Sequence, residues 1–163
     1  MITCTFENGN KAKIGLRHVT VGAILLNKEH TKVCLVKRST AVIAAGKYCV
    51  PGGFMDRNEN THQAVLREVL EETGFEGKIL NLLCIKDNPD REGEDRQNVD
   101  FVFIVEAGEM KKEKDFETAS VEWFEIDKVP PKEKWAFDHY LNIELYRKYL
   151  ANSFPLPFIG SLQ

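Results

Sequence analysis

The sequence predicts an α/β layered domain, a mixed β-sheet covered by helices. Three observations carry the prediction. Several short stretches are rich in β-branched and aliphatic residues, two helical patterns are set among them, and 43% of the 163 residues are hydrophobic, enough for one core. No internal repeat, low-complexity tract or Pro/Gly/Ser linker divides the chain, so residues 1–163 are expected to form a single domain.

The elements follow in order. HVTVGAILLN, from His18 to Asn27, predicts a buried strand, and KVCLVKRS, from Lys32 to Ser39, the next one, with Lys28–Thr31 as the turn between them. KYCVPGG, from Lys47 to Gly53, predicts a short strand ended by Pro51 and two glycines. Asn60 or Thr61 is placed to cap a helix that runs to Thr73, where Gly74 stops it. Lys78–Lys86 and Asn98–Ala107 have strand composition, and Asp87–Gln97 between them is a polar loop carrying Arg91 and Arg96. Lys111–Asp115 is a charged surface turn, and Val121–Ile126 another strand. Trp135–Leu150 predicts a second amphipathic helix, with Phe137, Leu141, Leu145 and Tyr149 at steps of four.

Composition bounds the function classes. A net charge of −3 gives no basic face for nucleic acid, so any phosphate ligand must be attracted by local groups or bound cations. Cys4, Cys34, Cys49 and Cys84 have no metal-finger spacing and lie among apolar neighbours, which predicts reduced, mostly buried thiols in a reducing compartment. The first residues contain no apolar leader, and no apolar run approaches the ~20 residues of a membrane span. The expectation is a soluble cytoplasmic protein without membrane or nucleic-acid partners.

The chemistry is concentrated in one helix. Glu68 and Glu72 lie four apart on a shared face, and Glu71 joins its edge. Val65, Leu66, Val69 and Leu70 fall on the other side and are free to pack on the sheet, while Arg67, four before Glu71, is placed to pair with it. Clustered carboxylates repel one another, so taken alone the trio describes a solvated acidic face or a site for a hard cation. Upstream, Pro51-Gly52-Gly53 and then Glu59 bring a glycine turn and another carboxylate to the same helix. Glycine permits the close backbone approach that a metal or phosphate needs.

GFMDRNENTHQAVLREVLEETGF, from Gly53 to Phe75, resembles the signature of the Nudix hydrolase family at Gly53, Glu59, Arg67, Glu68, Val69, Glu71, Glu72 and Gly74, with Phe75 where aliphatics are commoner. KRS at Lys37–Ser39, YCVPGG before the box and VEWFEIDKVP after it extend the likeness. The resemblance implies a Nudix fold, a mixed sheet sandwiched between helices (α/β/α), and a magnesium-dependent hydrolase, with manganese as a substitute metal. It implies Glu68 and Glu72 as main ligands, with Glu71 a further ligand or a partner of Arg67, and the Gly53 carbonyl completing the set. Glu59 either ligates through water or anchors the loop with Arg67. Water would attack one phosphorus of a diphosphate linkage, with a carboxylate as proton acceptor. Glu71, Glu72 and, outside the box, Glu117 are the catalytic candidates. Glu117 is also a candidate ligand, and Glu122 is its weaker rival.

The substrate is less legible. Pro89, downstream of the box, resembles the ADP-ribose pyrophosphatase subgroup, although a turn proline beside Asn88 and Asp90 explains it equally. Arg38, Arg91 and Arg96 are candidates to contact phosphates. Phe101, with Phe103 and Tyr48 behind it, is a candidate to stack a base, although strand aromatics are more often core. His139, in AFDHYL, is expected to make a helix-packing hydrogen bond. The leading expectation is hydrolysis of ADP-ribose or a related nucleotide sugar. The alternatives are a house-cleaning nucleoside triphosphate pyrophosphatase and a non-catalytic nucleotide sensor. A homodimer is expected only if the N-terminal stretch and the tail with Phe154, Phe158 and Ile159 serve an interface rather than their own domain.

Overall fold

The computed structural model describes residues 2–5, 8–15, 17–91, 96–111 and 116–162, and of residues 2–4, 13 and 14 the backbone only. The strands are β1 (Ile2–Thr5), β2 (Lys11–Ile14), β3 (His18–Leu26), β4 (Lys32–Arg38), β5 (Tyr48–Cys49), β6 (Gly52–Phe54), β7 (Phe75–Lys86), β8 (Asn98–Met110), β9 (Thr118–Glu125) and β10 (Phe158–Ile159). The helices are α1 (Thr61–Thr73) and α2 (His139–Asn152). β1 and β2 form a separate antiparallel hairpin, and the other eight strands form one mixed sheet in which β3 runs parallel to β8 and β10 parallel to β7.

The sheet is sandwiched. On β3, Val21, Ala23 and Leu25 pack with Ala64, Val65 and Val69 of α1, while Ile24 and Leu26 pack with Ile143, Leu145 and Tyr146 of α2. This alternation is the two-residue period of a strand buried on both faces. It explains why HVTVGAILL is apolar at nearly every position.

β3 and β4 pair at only two positions, Leu25↔Cys34 and Leu26↔Val33. Beyond them the strands part. β6 takes the vacated edge of β3 (Thr20↔Phe54, Val21↔Gly53, Gly22↔Gly52), and β5 takes that of β4. The Pro51 carbonyl, accepting from the Ala23 amide at 2.8 Å, ties the crossing between them. This fork positions the functional site.

Helix α1 has the predicted bounds. Asn60 accepts from the Gln63 amide, Gln63 returns the bond to the Asn60 amide, and Gly74 closes the helix in the left-handed conformation. Other boundaries differ from expectation. The stretch 47–53 is two strands rather than one, because Pro51 has no amide to continue a ladder and Gly52 and Gly53 pair with β3 instead. The second helix begins at His139, not Trp135: Lys132–Lys134 is a 3-10 turn, and Phe137, with φ 49°, breaks the path into α2. Strands β7 and β8 extend to Phe75 and Met110, because each supplies the other with a partner. Residues 92–95 of the polar loop and 112–115 of the charged turn lie outside the described residues. Cys34, Cys49 and Cys84 are buried free thiols, as expected; the Cys4 side chain is outside the description. No helix among the described residues is long and apolar enough to cross a membrane.

Candidate active site

The fork between β3 and β4 opens a cleft of about 540 Å³. α1 and β6 supply one part of its lining. Close approach demands Gly52 there: a Cβ would lie 2.2 Å from the Val21 carbonyl oxygen. The Gly52 amide donates to Glu72 Oε2 at 2.8 Å. A Cβ on Gly53 would meet Glu68 Oε1 at 2.6 Å, so the glycine lets that carboxylate lie against the chain. Glu72 is 7% exposed, so of the two readings of the trio taken alone the solvated face does not hold at this position. It points under β6, and Leu66 and Leu70 are only partly buried.

Arg67 organises the remaining carboxylates. Its guanidinium donates to both oxygens of Glu59 (3.1 and 2.7 Å), to Glu68 at 2.8 Å, to Glu71 at 3.0 Å and to the Phe54 carbonyl at 2.9 Å. The Arg67 hydrogen bonds, then the Asp56 amide, hold the Glu59 carboxyl below the usual carboxylate range. Arg67 in turn holds its proton more tightly than a free arginine, chiefly through Glu59, with Glu68 and Glu71 adding against the cost of burial. Glu59 thus anchors the loop that leads from β6 into α1. With Glu68 and Glu71 turned to Arg67, no three acidic, histidine or cysteine side chains among the described residues stand together at coordination distance.

The rest of the lining comes from distant segments. Arg38 ends β4, donating from Nε to the Ile43 carbonyl at 2.7 Å, and Glu117 precedes β9, its carbonyl accepting from the Ser39 amide at 2.8 Å. Both side chains line the cleft, as do Arg91 and Arg96. Phe101 does not. It packs against the core cluster beneath α1, because its position on β8 sits between β3 and β7 in the middle of the sheet. Phe103 is core as well, and Tyr48 donates to Glu122 at 3.0 Å. Glu122, also accepting from Ser120, is not among the cleft residues.

His139 lines the cleft, but the expected packing hydrogen bond is absent at Nδ1, which is buried without a partner. Burial, reinforced by the charge of Lys86, lowers its pKa to about 4, so the ring is neutral at pH 7. Beside it stands a group that sequence reasoning missed. Lys86 Nζ lies 3.3 Å from Asp100 and 3.1 Å from Asp138, and Arg91 donates to Asp138 at 3.0 and 2.5 Å. Burial opposes ionisation of Asp138, yet Lys86 and Arg91 outweigh it and hold the carboxyl far below the usual range. The one available signal was the AFDHYL segment, which carries both Phe137 and Asp138.

The chain matches the family model of the NUDIX domain over residues 16–145. It is 32% identical over 133 residues to the ADP-ribose pyrophosphatase of Methanocaldococcus jannaschii, covering 81% of this chain and 75% of that protein. Among solved structures it resembles a NUDIX hydrolase from Nitrosomonas europaea, with a TM-score of 0.77, 24% identity and coverage of 92% of this chain and 81% of that one. It also resembles the NUDIX domain of Shewanella oneidensis NrtR complexed with ADP ribose, with a TM-score of 0.63, 25% identity and coverage of 84% and 90%. The chain belongs to the Nudix family. It is a hydrolase of phosphorus-containing acid anhydrides, acting on pyrophosphate bonds.

Proposed function

We propose that the chain cleaves the pyrophosphate linkage of a nucleoside diphosphate derivative, ADP-ribose or a related nucleotide sugar, using magnesium or, in its place, manganese. The observation that carries the reading is the convergence of Gly52, Gly53, Glu68 and Glu72 on one cleft. ADP-ribose is favoured because the 32% identical relative is an ADP-ribose pyrophosphatase and one neighbouring NUDIX domain is complexed with ADP ribose.

The donors fit a hard divalent cation, since all are oxygens and Gly53 leaves room for the Glu68 carboxylate against its own backbone. The Gly53 carbonyl, Glu68, Glu71 and Glu72 would hold it, with Glu117 adjoining. When bound, it offsets phosphate charge and supplies Lewis acidity. Glu117, outside the box and lining the same cleft, accepts the proton of the attacking water, with Glu71 and Glu72 as the alternative acceptors. The water oxygen bonds to one phosphorus as the bridging P–O bond breaks. Arg38 binds phosphate oxygens beside Glu117. Residues 1–163 act as one domain, in the cytoplasm, as a monomer or a homodimer; the buried free thiols support a reducing compartment.

The test is a panel of ADP-ribose, other nucleotide sugars and nucleoside triphosphates with magnesium, read by product. Release of AMP and ribose 5-phosphate from ADP-ribose is expected. Pyrophosphate from triphosphates alone would replace this reading with the house-cleaning one, and tight nucleotide binding without turnover would replace it with a sensor.

A further inference from the structure

Lys86 has the least exposed charged side chain among the described ion pairs, at 3%. A buried cation is costly to keep, and a well-packed apolar residue in its place is often no less stable. Geometry gives a reason for it. In register across β7, β8, β3 and β6 run Lys86, Asp100, Thr20 and Phe54. Lys86 binds Asp100, and the Thr20 hydroxyl donates to Asp100 at 3.0 Å. Three strand spacings, roughly 14 Å, separate Lys86 from the β6 edge where Gly53 meets Glu68, and Asp100 and Thr20 bridge the strands between.

Asp138 occupies the N-cap position of α2, where aspartate ordinarily accepts from the first amides of the helix. It makes no cap bond. Its carboxylate turns instead to Lys86 and Arg91. The Arg91 guanidinium lies 5.6 Å from the centroid of Phe137, and that of Arg38 5.7 Å from the same ring. Phe137 is held at a left-handed φ of 49°, and the Ala136 amide, bound to the Tyr48 carbonyl at 2.8 Å, pins the segment in place. A strained aromatic and an uncapped helix are thus both maintained beside one cleft arginine.

From this we infer that Lys86 is a positioning residue: by holding Asp138 away from the helix cap, it fixes Arg91 on Phe137 in the cleft, where the guanidinium grips a phosphate oxygen of the nucleotide. Lys86 itself touches neither substrate nor reacting atoms. Without its charge, Asp138 is released to cap α2 and draws Arg91 out of place. The inference rests on the reading of the cleft as a nucleotide site.

A double-mutant cycle tests it. Wild type, Lys86→Met, Arg91→Ala and the double variant are titrated calorimetrically with ADP in magnesium buffer. Each single change is expected to weaken ADP about tenfold, and the double variant to bind no more weakly than Arg91→Ala. On whichever nucleotide the panel shows to be cleaved, Lys86→Met raises KM by the same factor and leaves kcat within about twofold. Losses that multiply to about a hundredfold in the double variant, unchanged ADP affinity in Lys86→Met, or a fall in kcat at constant KM would each overturn the inference. Should Lys86→Met fail to fold, the isosteric Asp138→Asn takes its place in the same cycle. Failure to cleave ADP-ribose counts against the proposed reaction alone, since the ADP titration does not depend on turnover.

Discussion

Arg67 and Lys86 are each a cation held among carboxylates beside the same cleft, yet they are built in opposite ways. Arg67 takes Glu59, Glu68 and Glu71 from within eight residues of itself, whereas the Asp138 partner of Lys86 is 52 residues away. The first group sets Glu59, Glu68 and Glu71 against one guanidinium that is about a quarter exposed. The second sets Lys86 and Arg91 against Asp100 and Asp138 and is neutral. The first is partly exposed and carries carboxylates proposed to hold a cation, while the second is buried and holds the arginine proposed to meet the phosphate. The two clusters are therefore distinguished by burial and by how far along the chain their partners come from, although both line or flank one cavity.

The contrast breaks most sharply at Glu72. If the carboxylates of α1 hold a cation in the cleft, Glu72→Gln lowers kcat about a thousandfold, several kcal/mol of transition-state stabilisation, while the circular dichroism spectrum and melting temperature barely change. Near wild-type turnover on the cleaved nucleotide would remove Glu72 from the mechanism.

The two adjoining glycines come next. Gly53→Ala meets only the end of a flexible carboxylate, so it folds but displaces Glu68, and activity falls about a hundredfold. Gly52→Ala meets the backbone of β3, which cannot yield, and costs more than about 3 kcal/mol in urea unfolding. Equal stability losses at the two positions would show that Glu68 is as immobile as the strand.

The neutral cluster is sharpened by pH. His139 has a folded pKa of about 4 against an ordinary value of 6.5. Between these values the unfolded chain binds a proton that the folded chain refuses. Its contribution to stability is therefore complete above pH 6.5 and is lost as pH falls towards 4, with about 2 kcal/mol gone at pH 5. His139→Gln should lack that part of the slope in denaturant titrations at pH 7 and 5. An unchanged slope would place the proton elsewhere.

Glu122→Gln is the smallest effect. It alters the acceptor of Tyr48 and Ser120, costing about 1 kcal/mol, and leaves kcat within about twofold, whereas Glu117→Gln lowers kcat about a hundredfold. Reversal of the two outcomes would exchange their roles.

The limits of legibility follow the same division. Glu68, Glu71, Glu72 and Arg67 could be grouped from sequence because a helix of 3.6 residues per turn converts spacing directly into neighbourhood, and α1 has the bounds that Asn60 and Gly74 dictate. Burial of Glu72 could not be read so, because it depends on β6 crossing to the edge of β3. Phe101 shows the converse error: aromatic character marked it as a base platform, but its place in mid-sheet packs it, partly buried, against the core beneath α1 and outside the cleft lining. Arg91, ambiguous in sequence, is 8% exposed because Asp138 lies against it.

By itself, then, the sequence determined the layered α/β class, helix α1 with its carboxylates, and the pyrophosphate chemistry of the family they signal. These depend on local periodicity, capping and fixed spacing. Only the tertiary structure decided that β3 and β4 part to form the cleft, that Glu117 and Arg38 stand together at its rim, and that Lys86, Asp100 and Asp138 meet beneath it. Each of these arises where a strand exchanges one partner for another or where segments far apart in the chain converge. Hydrogen-bond pairing across a sheet is settled by the whole set of competing strands, and no local pattern encodes it.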